Sequence, residues 1–344
     1  MSGTKPPRPL PAAEEPLASL YDVALLDLDG VVYVGPEAVP GAPEQLRTAS
    51  DAGMRIAYIT NNASRSPEAV SAHLRSFGLP AESEDVVTSA QAAARLVASE
   101  FPAGSPVLVV GGEGIREALA EYGLREVRSS DDKPVAVIQG FAPEVDWVML
   151  ADGAHAINAG AKWFATNLDL TIPTSGGRAP GNGTLVQAVR AAVDVDPVVA
   201  GKPEPPLLRT SMERLGAKRP LMIGDRLDTD IAGANRVGIA SLWVATGVNS
   251  AADVAAAPPG LRPTYVGAGL DALTEPHPGV DSEKGTHRCG AWEASVARGQ
   301  VRLSGEGEPY DGLRAILSAA WEASDAGRPV RVTAALEKAG LAAG

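Results

Sequence analysis

Two apolar runs set the terms on which this chain can fold. "YDVALLDLD", residues 21–29, is continuously apolar from Val23 until its acidic end, and "MRIAYIT", residues 54–60, repeats the pattern from Ile56 ahead of "NNASRSPEAV". A strand with one wet face alternates apolar and polar residues, so a run without alternation predicts a strand covered on both faces. Between the runs lies a helical stretch near residues 41–52, closed by Gly53. After the second, Ser66 and Pro67 read as the N-cap and first position of another helix. Strand, helix, strand in this order predicts an α/β fold built on a doubly wound parallel sheet. The apolar share is 45% and the aromatic share only 4%, so the core is aliphatic, as in buried parallel sheets.

The alternation continues with a change of character. "SPVLVVGGEGIREALAEYGL" reads as strand, turn and helix, "KPVAVIQGF" as a strand, and "DWVMLADGAHAINAGAKWFATN" as helix then strand. These place an inserted α/β cap over 85–189. The first domain, 20–84, resumes over 190–270 with "PLMIGD", "DTDIAGANRVG" and "IASLWVATG" as strand, helix and strand. Residues 1–19, rich in proline and charge, read as a disordered lead-in, and 271–286 as a polar linker. Residues 287–344 read as a small α+β extension with two strand-like and two helix-like runs.

The net charge of −12 excludes the basic face of a nucleic-acid binder. It also gives no long-range attraction for an anionic substrate, whose charge would have to be met locally by a metal or a placed lysine. One cysteine, Cys289, allows no internal disulfide, and no run of about 18 apolar residues predicts a membrane span. The expected setting is the cytoplasm.

Four clusters carry chemistry, each at the carboxyl end of a predicted parallel strand, the edge at which open α/β sheets bind ligands. In "DLDGVVY", Asp27 and Asp29 are two apart and would share one side of a strand, as nucleophile and as general acid and base. Gly30 lets the backbone turn and present amides to an anion. The plain alternative is a strand ending in a solvated acidic turn. "TNN", Thr60, Asn61 and Asn62, offers a hydroxyl and amides as a phosphate cradle, or an ordinary turn. Lys202 in "AGKPEPPLL" could neutralise a phosphoryl oxygen. "GDRLDTDIAGA" gathers Asp225, Asp228 and Asp230, which would repel unless a cation such as Mg2+ sat among them; capping of the helix is the alternative, for Asp228 above all.

Taken together and in this order, the clusters resemble the four motifs of the haloacid-dehalogenase superfamily of phosphohydrolases. "ATNLDLTIPTSGGRAPGNGTLVQAV", residues 165–189, resembles the cap of its class IIA branch, which holds 4-nitrophenylphosphatases, phosphoglycolate phosphatases and glycerol-3-phosphate phosphatases. The likeness covers roughly residues 20–270, and the chain with its extension is most similar to the bacterial glycerol-3-phosphate phosphatases. The resemblance implies Mg2+-dependent hydrolysis of a small-molecule phosphoester through a phospho-aspartate on Asp27. It implies metal ligation by Asp27, Asp225 and the backbone carbonyl of Asp29, with Asp230 orienting the site. Thr60, Asn61 and Lys202 match the phosphate-binding second and third motifs.

The cap would choose the substrate. Asn167 and Asp169 are candidates for hydrogen bonding to a polyol or acid, and Arg178 for meeting an extra negative charge, with loop structure as the alternative for all three. "PGNG" could equally cap the helix beginning near Thr184. His73, His155, His277 and His287 show no metal spacing. "GGEGIREAL" lacks a full dinucleotide fingerprint, the extension shows no acetyl-CoA loop, and no P-loop is present. In "YDGLRAILSAAWEA", Leu313, Ile316, Leu317 and Ala320 share one helical face that could pack on the main body, support a homo-oligomer or bind a partner.

Overall fold

The structure, a computed structural model, describes residues 9–35, 37–174 and 176–341. The chain divides into two compact units: residues up to Ile56 together with those from Ala217 onward, and the stretch Ala57–Gly216.

In the first unit, parallel strands lie in the order Tyr265–Gly267, Ala240–Val244, Pro220–Gly224, Val23–Leu26, with Val23 opposite Pro220 and Leu221 opposite Ala240. Every residue of the four is buried, which is why their sequences carry no polar alternation. The first predicted helix is present as Ala42–Asp51, and Gly53, at φ 98°, supplies the left-handed exit that a side chain would resist. Arg55–Thr60 starts in this unit, its Arg55 N–H donating to the Asp22 carbonyl at 3.0 Å, and ends in the other.

Residues 9–19 are not a disordered lead-in. Leu10 N–H donates to the Thr264 carbonyl, Ala13 and His277 exchange backbone hydrogen bonds, all at 2.8 Å, and Leu17 is fully buried. Proline and charge dominate that stretch, but its few apolar residues and its backbone bonds decide its place. Residues 1–8 of the expected lead-in lie outside the described residues.

The stretch 271–286 is likewise more than a linker. It holds buried His277 and the strand Asp281–Glu283, the first of a four-stranded antiparallel sheet continued by Thr286–Cys289, Trp292–Ala297 and Gln300–Ser304. The sequence reading found two strand-like runs here because the strands are short and Asp281–Glu283 is exposed throughout. The turns are legible afterwards: Lys284–Gly285 and Arg298–Gly299 have positive φ at both positions, the geometry of tight two-residue hairpins.

The helix Pro309–Asp325 follows, then Thr333–Lys338. Leu313, Ile316, Leu317 and Ala320 are all buried, in one apolar cluster with Leu227, Trp243, Val254 and Val266. Arg262 forks onto Asp325 at 2.8 and 2.7 Å, and Trp321 Nε1–H donates to the Val254 carbonyl at 3.0 Å. Of the three uses open to this helix face, packing on the main body is the one observed. Cys289 is buried here, and burial pushes its thiol up to about 12.

In the second unit, Val86–Thr88 pairs with the end of Arg55–Thr60, Tyr58 opposite Val86. A separate five-stranded parallel sheet runs in the order Val198–Val199, Lys162–Ala165, Ala136–Gln139, Pro106–Val110, Arg125–Val127. The insert boundaries expected at 85 and 189 therefore shift: Val86–Thr88 does not join the five-stranded sheet, whereas Val198–Val199 does, against Phe164 and Ala165. Two residues are too few to show a period. Ser66 caps the helix Pro67–Ser76 as expected, accepting from Ala69 N–H. The loop expected after Thr166 contains a hairpin, Thr171–Thr174 with Gly177–Pro180. No helix among the described residues is long and apolar enough to cross a membrane.

Candidate active site

The first unit gathers carboxylates. Oxygens of Asp27, Asp225 and Asp230 lie within 4.8 Å of one another, Asp225 and Asp230 fully buried and Asp27 half-buried. Asp27 and Asp225 each follow the last residue of a buried strand, so the parallel pairing of Val23–Leu26 with Pro220–Gly224 brings their positions together. Asp230 arrives from the single wide helical turn Leu227–Ile231 and accepts from Arg226 N–H at 3.1 Å. Asp225 is gripped from three sides. Val248 N–H donates to its Oδ2 at 2.6 Å, Trp243 Nε1–H donates to its carbonyl at 3.1 Å, and a Cβ on Gly30 or Gly247 would fall 2.7 or 2.0 Å from Oδ2.

Three hard oxygen donors this close repel one another in a site largely removed from water, and a small divalent cation relieves that repulsion. The donor set therefore fits Mg2+.

Asp29 stands apart from this triplet. The regular strand ends at Leu26, so the alternation expected to align Asp27 with Asp29 does not extend to them. The chain turns instead, with Gly30 at φ 84° and its N–H donating to the Tyr33 carbonyl at 2.8 Å, and Asp29 is exposed. Asp228 is no helix cap. It pairs with Arg226 at 3.1 and 2.8 Å, and although burial would raise its pKa, Arg226 holds it below the usual carboxylate range.

The second unit gathers amides and the lysine. Thr60 is buried, and its Oγ1 accepts from Asn62 N–H at 3.0 Å, which leaves its own O–H to donate. Asn62 turns its side chain into the loop, Oδ1 accepting from Ser64 N–H and Oγ–H at 2.9 and 2.7 Å. Asn61 reaches the buried Lys202: its Oδ1 accepts from Lys202 N–H at 2.8 Å, and its Nδ2 donates to the Lys202 carbonyl at 2.9 Å and to Asp169 Oδ2 at 3.1 Å. Gly201 makes the approach feasible, since a Cβ there would lie 2.4 Å from the Thr166 carbonyl and 2.7 Å from Asn61 Oδ1.

Asn167 is buried, its Nδ2 donating to the Asn61 carbonyl at 2.7 Å and its Oδ1 accepting from Asp169 N–H at 3.1 Å. Arg178 is exposed on the hairpin strand Gly177–Pro180, opposite Pro173.

Sequence reasoning missed three contributors. The Gly247–Val248 loop follows the strand Ala240–Val244, and the strand-end rule applied there would have found it. Gly201 gave no signal of its own. Asn182, in "PGNG", is the first residue of the helix Asn182–Arg190 and does not cap it; its Nδ2 donates to the Asn167 carbonyl at 2.8 Å.

A family model described as haloacid dehalogenase-like hydrolase matches residues 24–125, and a HAD-hydrolase-like model matches residues 199–273. Residues 289–342 match the model of a GCN5-related N-acetyltransferase like domain, a similarity not foreseen from the sequence. The D-glycerol 3-phosphate phosphatase of Mycobacterium tuberculosis is 43% identical over 94% of this chain and 93% of its own. A crystal structure of the glycerol phosphate phosphatase from that organism, in complex with magnesium, matches with a TM-score of 0.86 at 43% identity, over 94% of this chain and 98% of that one. An acid sugar phosphatase of Staphylococcus saprophyticus is 36% identical over 68% of this chain and 90% of its own.

Proposed function

The chain belongs to the haloacid dehalogenase-like hydrolases, and we propose that it is a cytoplasmic Mg2+-dependent phosphomonoesterase whose substrate is glycerol 3-phosphate. The convergence of Asp27, Asp225 and Asp230 carries the chemistry. The substrate rests on likeness to a D-glycerol 3-phosphate phosphatase over 94% of the chain, extension included.

Asp27 attacks phosphorus and takes the phosphoryl group as the alkoxide departs, which divides one hard displacement into two easier ones. Asp29 donates a proton to the departing oxygen and then accepts one from the water that hydrolyses the aspartyl phosphate. Its exposure suits a group that must exchange protons with solvent between the two steps. The Thr60 O–H, the backbone N–H of Asn61 and Lys202 are assigned to the phosphoryl oxygens, where fixed donors and a cation stabilise developing charge. Asp27, Asp225 and the Asp29 carbonyl would hold Mg2+, with Asp230 beside them. When bound, the ion would offset the repulsion between a carboxylate nucleophile and a phosphoryl dianion. Asn167 and Asp169 are assigned to the glycerol hydroxyls, and Arg178 to any further charge on the substrate.

Sugar-phosphate hydrolysis is the second reading, favoured by the 36% identity to an acid sugar phosphatase, a relative that matches only 68% of this chain. Phosphate release from glycerol 3-phosphate, phosphoglycolate, sugar phosphates and 4-nitrophenyl phosphate, with and without Mg2+, separates the two. Glycerol 3-phosphate should lead, and Asp27→Asn should lower its kcat by more than ~10⁴-fold. A different leading ester would discard the substrate and keep the chemistry; Mg2+-independent release would discard the chemistry.

A further inference from the structure

The side chain of Asn61 is spoken for. Its carboxamide has one oxygen and two N–H donors, and the structure gives all three a partner: Lys202 N–H, the Lys202 carbonyl and Asp169 Oδ2. The orientation of the amide follows from these partners, because only the oxygen can accept from an N–H and only the nitrogen can donate to a carbonyl and a carboxylate. Asn61 thus grips both backbone polar groups of Lys202 as a neighbouring strand would. Its own carbonyl accepts from Ser89 Oγ–H at 2.6 Å and Asn167 Nδ2–H at 2.7 Å. Three segments far apart in sequence, 60–62, 166–169 and 201–203, are fixed to one another through this residue. Without its side chain, Lys202 N–H would lose its hydrogen-bond acceptor in a place that Gly201 keeps tightly packed.

We propose that Asn61 is a positioning residue, whose side chain acts on the reaction by holding the backbone of Lys202 and the carboxylate of Asp169, while the phosphoryl contacts of this turn come from the Thr60 hydroxyl and the backbone N–H of Asn61. The inference rests on the phosphatase reading, in which Lys202 meets the phosphoryl charge. A lysine side chain is long and flexible, and its aim depends on how firmly its backbone is held. The loss on removing Asn61 therefore falls on kcat, where orientation counts, and runs through Lys202.

The test is a double-mutant cycle on the full chain, with the phosphoester that wild type hydrolyses fastest in the presence of Mg2+. Asn61→Ala, Lys202→Ala and the double variant are compared for kcat, KM and inhibition by inorganic phosphate. Asn61→Ala should lower kcat by ~10- to 100-fold and change KM and the phosphate inhibition constant by less than ~3-fold. In the Lys202→Ala background the same substitution should cost less than ~3-fold, because the group it positions is gone.

A loss that persists undiminished in that background, a loss carried by KM and phosphate affinity, or no loss would each overturn the proposal. A wild type that hydrolyses no phosphoester would strike the functional reading itself, a result distinct from all three. If Asn61→Ala does not melt cooperatively, Asn61→Asp keeps the volume and the bond from Lys202 N–H while setting two carboxylates against each other at position 169. Its kcat should fall by more than ~10-fold and recover at least ~3-fold when Asp169→Asn is added. Failure to recover would overturn the proposal for Asp169.

Discussion

Asp27 and Asp225 in one unit, and Asn61 in the other, follow directly on buried parallel strands, yet the groups around them are balanced in opposite ways. The carboxylates of Asp27, Asp225 and Asp230 share a sign, and Asp225 and Asp230 are fully buried, so the cluster is a donor set that a divalent cation would relieve. Asn61, Asn167 and Asn182 donate to and accept from backbone groups and settle their own polarity. The first arrangement stores an electrostatic demand that a ligand can meet, and the second stores geometry. Catalysis in this family needs both: charge to be neutralised where phosphate binds, and a rigid frame to aim what neutralises it.

The largest expected effect tests that division at Asp225. Asp225→Asn should lower kcat by more than ~10³-fold, since it removes a buried charged oxygen from the cation's donor set. It should also abolish the rise in melting temperature that Mg2+ gives wild type, a stabilisation of about 3 kcal/mol at a hundredfold excess over the dissociation constant. Asn182→Ala should behave in the opposite way. It leaves the Asn167 carbonyl without its donor and should cost about 1–3 kcal/mol of stability, with the Mg2+-induced rise intact. Thermal melts with Mg2+ and with chelator decide the matter. If both variants lose the Mg2+ response, the two regions are not separable in this way.

Legibility in the sequence divides along the same line. Asp27, Asp29, Asp225 and Asp230 could be named in advance because few reasons place acids at the ends of apolar strands, and because the order of the clusters is itself distinctive. The nearness of Asp27 to Asp225 and Asp230 could thus be anticipated before any coordinates. The clamp of Asn61 on Lys202 was not, because it joins residues 141 positions apart through backbone atoms that every sequence possesses. Asn182 was passed over for a related reason: an asparagine at a helix start is ordinarily a cap, and only the approach of the 167 carbonyl gives it other work. Residues 9–19 and 271–286 were misjudged from composition, since the pairing of Ala13 with His277 is a backbone event to which side-chain polarity gives no clue.

The self-satisfied kind of arrangement has a cost of its own, which appears at His277. This residue is buried, its Nε2–H donating to the Ala272 carbonyl at 2.7 Å and its Nδ1 accepting from Arg314 at 2.8 Å. Arg314 is held in turn by Asp311 at 2.7 Å, and the Tyr265 ring stands edge-on to the imidazole. Burial, with Arg314 adding to it and the Ala272 carbonyl opposing, takes the imidazole from 6.5 down to about 4.

The unfolded chain therefore binds a proton between those values that the folded chain refuses. The stabilisation is fully present above about pH 6.5, declines as pH falls to about 4, and changes no further below that; the whole is about 3 kcal/mol. Urea unfolding from pH 7 to pH 4 should show this decline, and His277→Asn should flatten it. An equal decline in the variant would place the pH sensitivity elsewhere, with the carboxylate cluster the next place to look.

The smallest expected effect isolates position from residue type. Asp228 lies three residues after Asp225 and two before Asp230, and residue type alone offers no means of ranking the three. The structure does: Asp225 and Asp230 are fully buried, whereas Asp228 is forked by Arg226 with its side chain 65% exposed. Its charge is balanced in the manner of the second unit while it sits in the first. Exposed ion pairs contribute about 0–1 kcal/mol, so Asp228→Ala should shift stability by no more than that. It should change kcat and KM by less than ~3-fold, against the far larger loss at Asp225. A loss at Asp228 approaching that of Asp225 would mean that the acidic segment acts as a pool of negative charge; a small one would mean that the carboxylates work because two strands and one helical turn aim them at a common point.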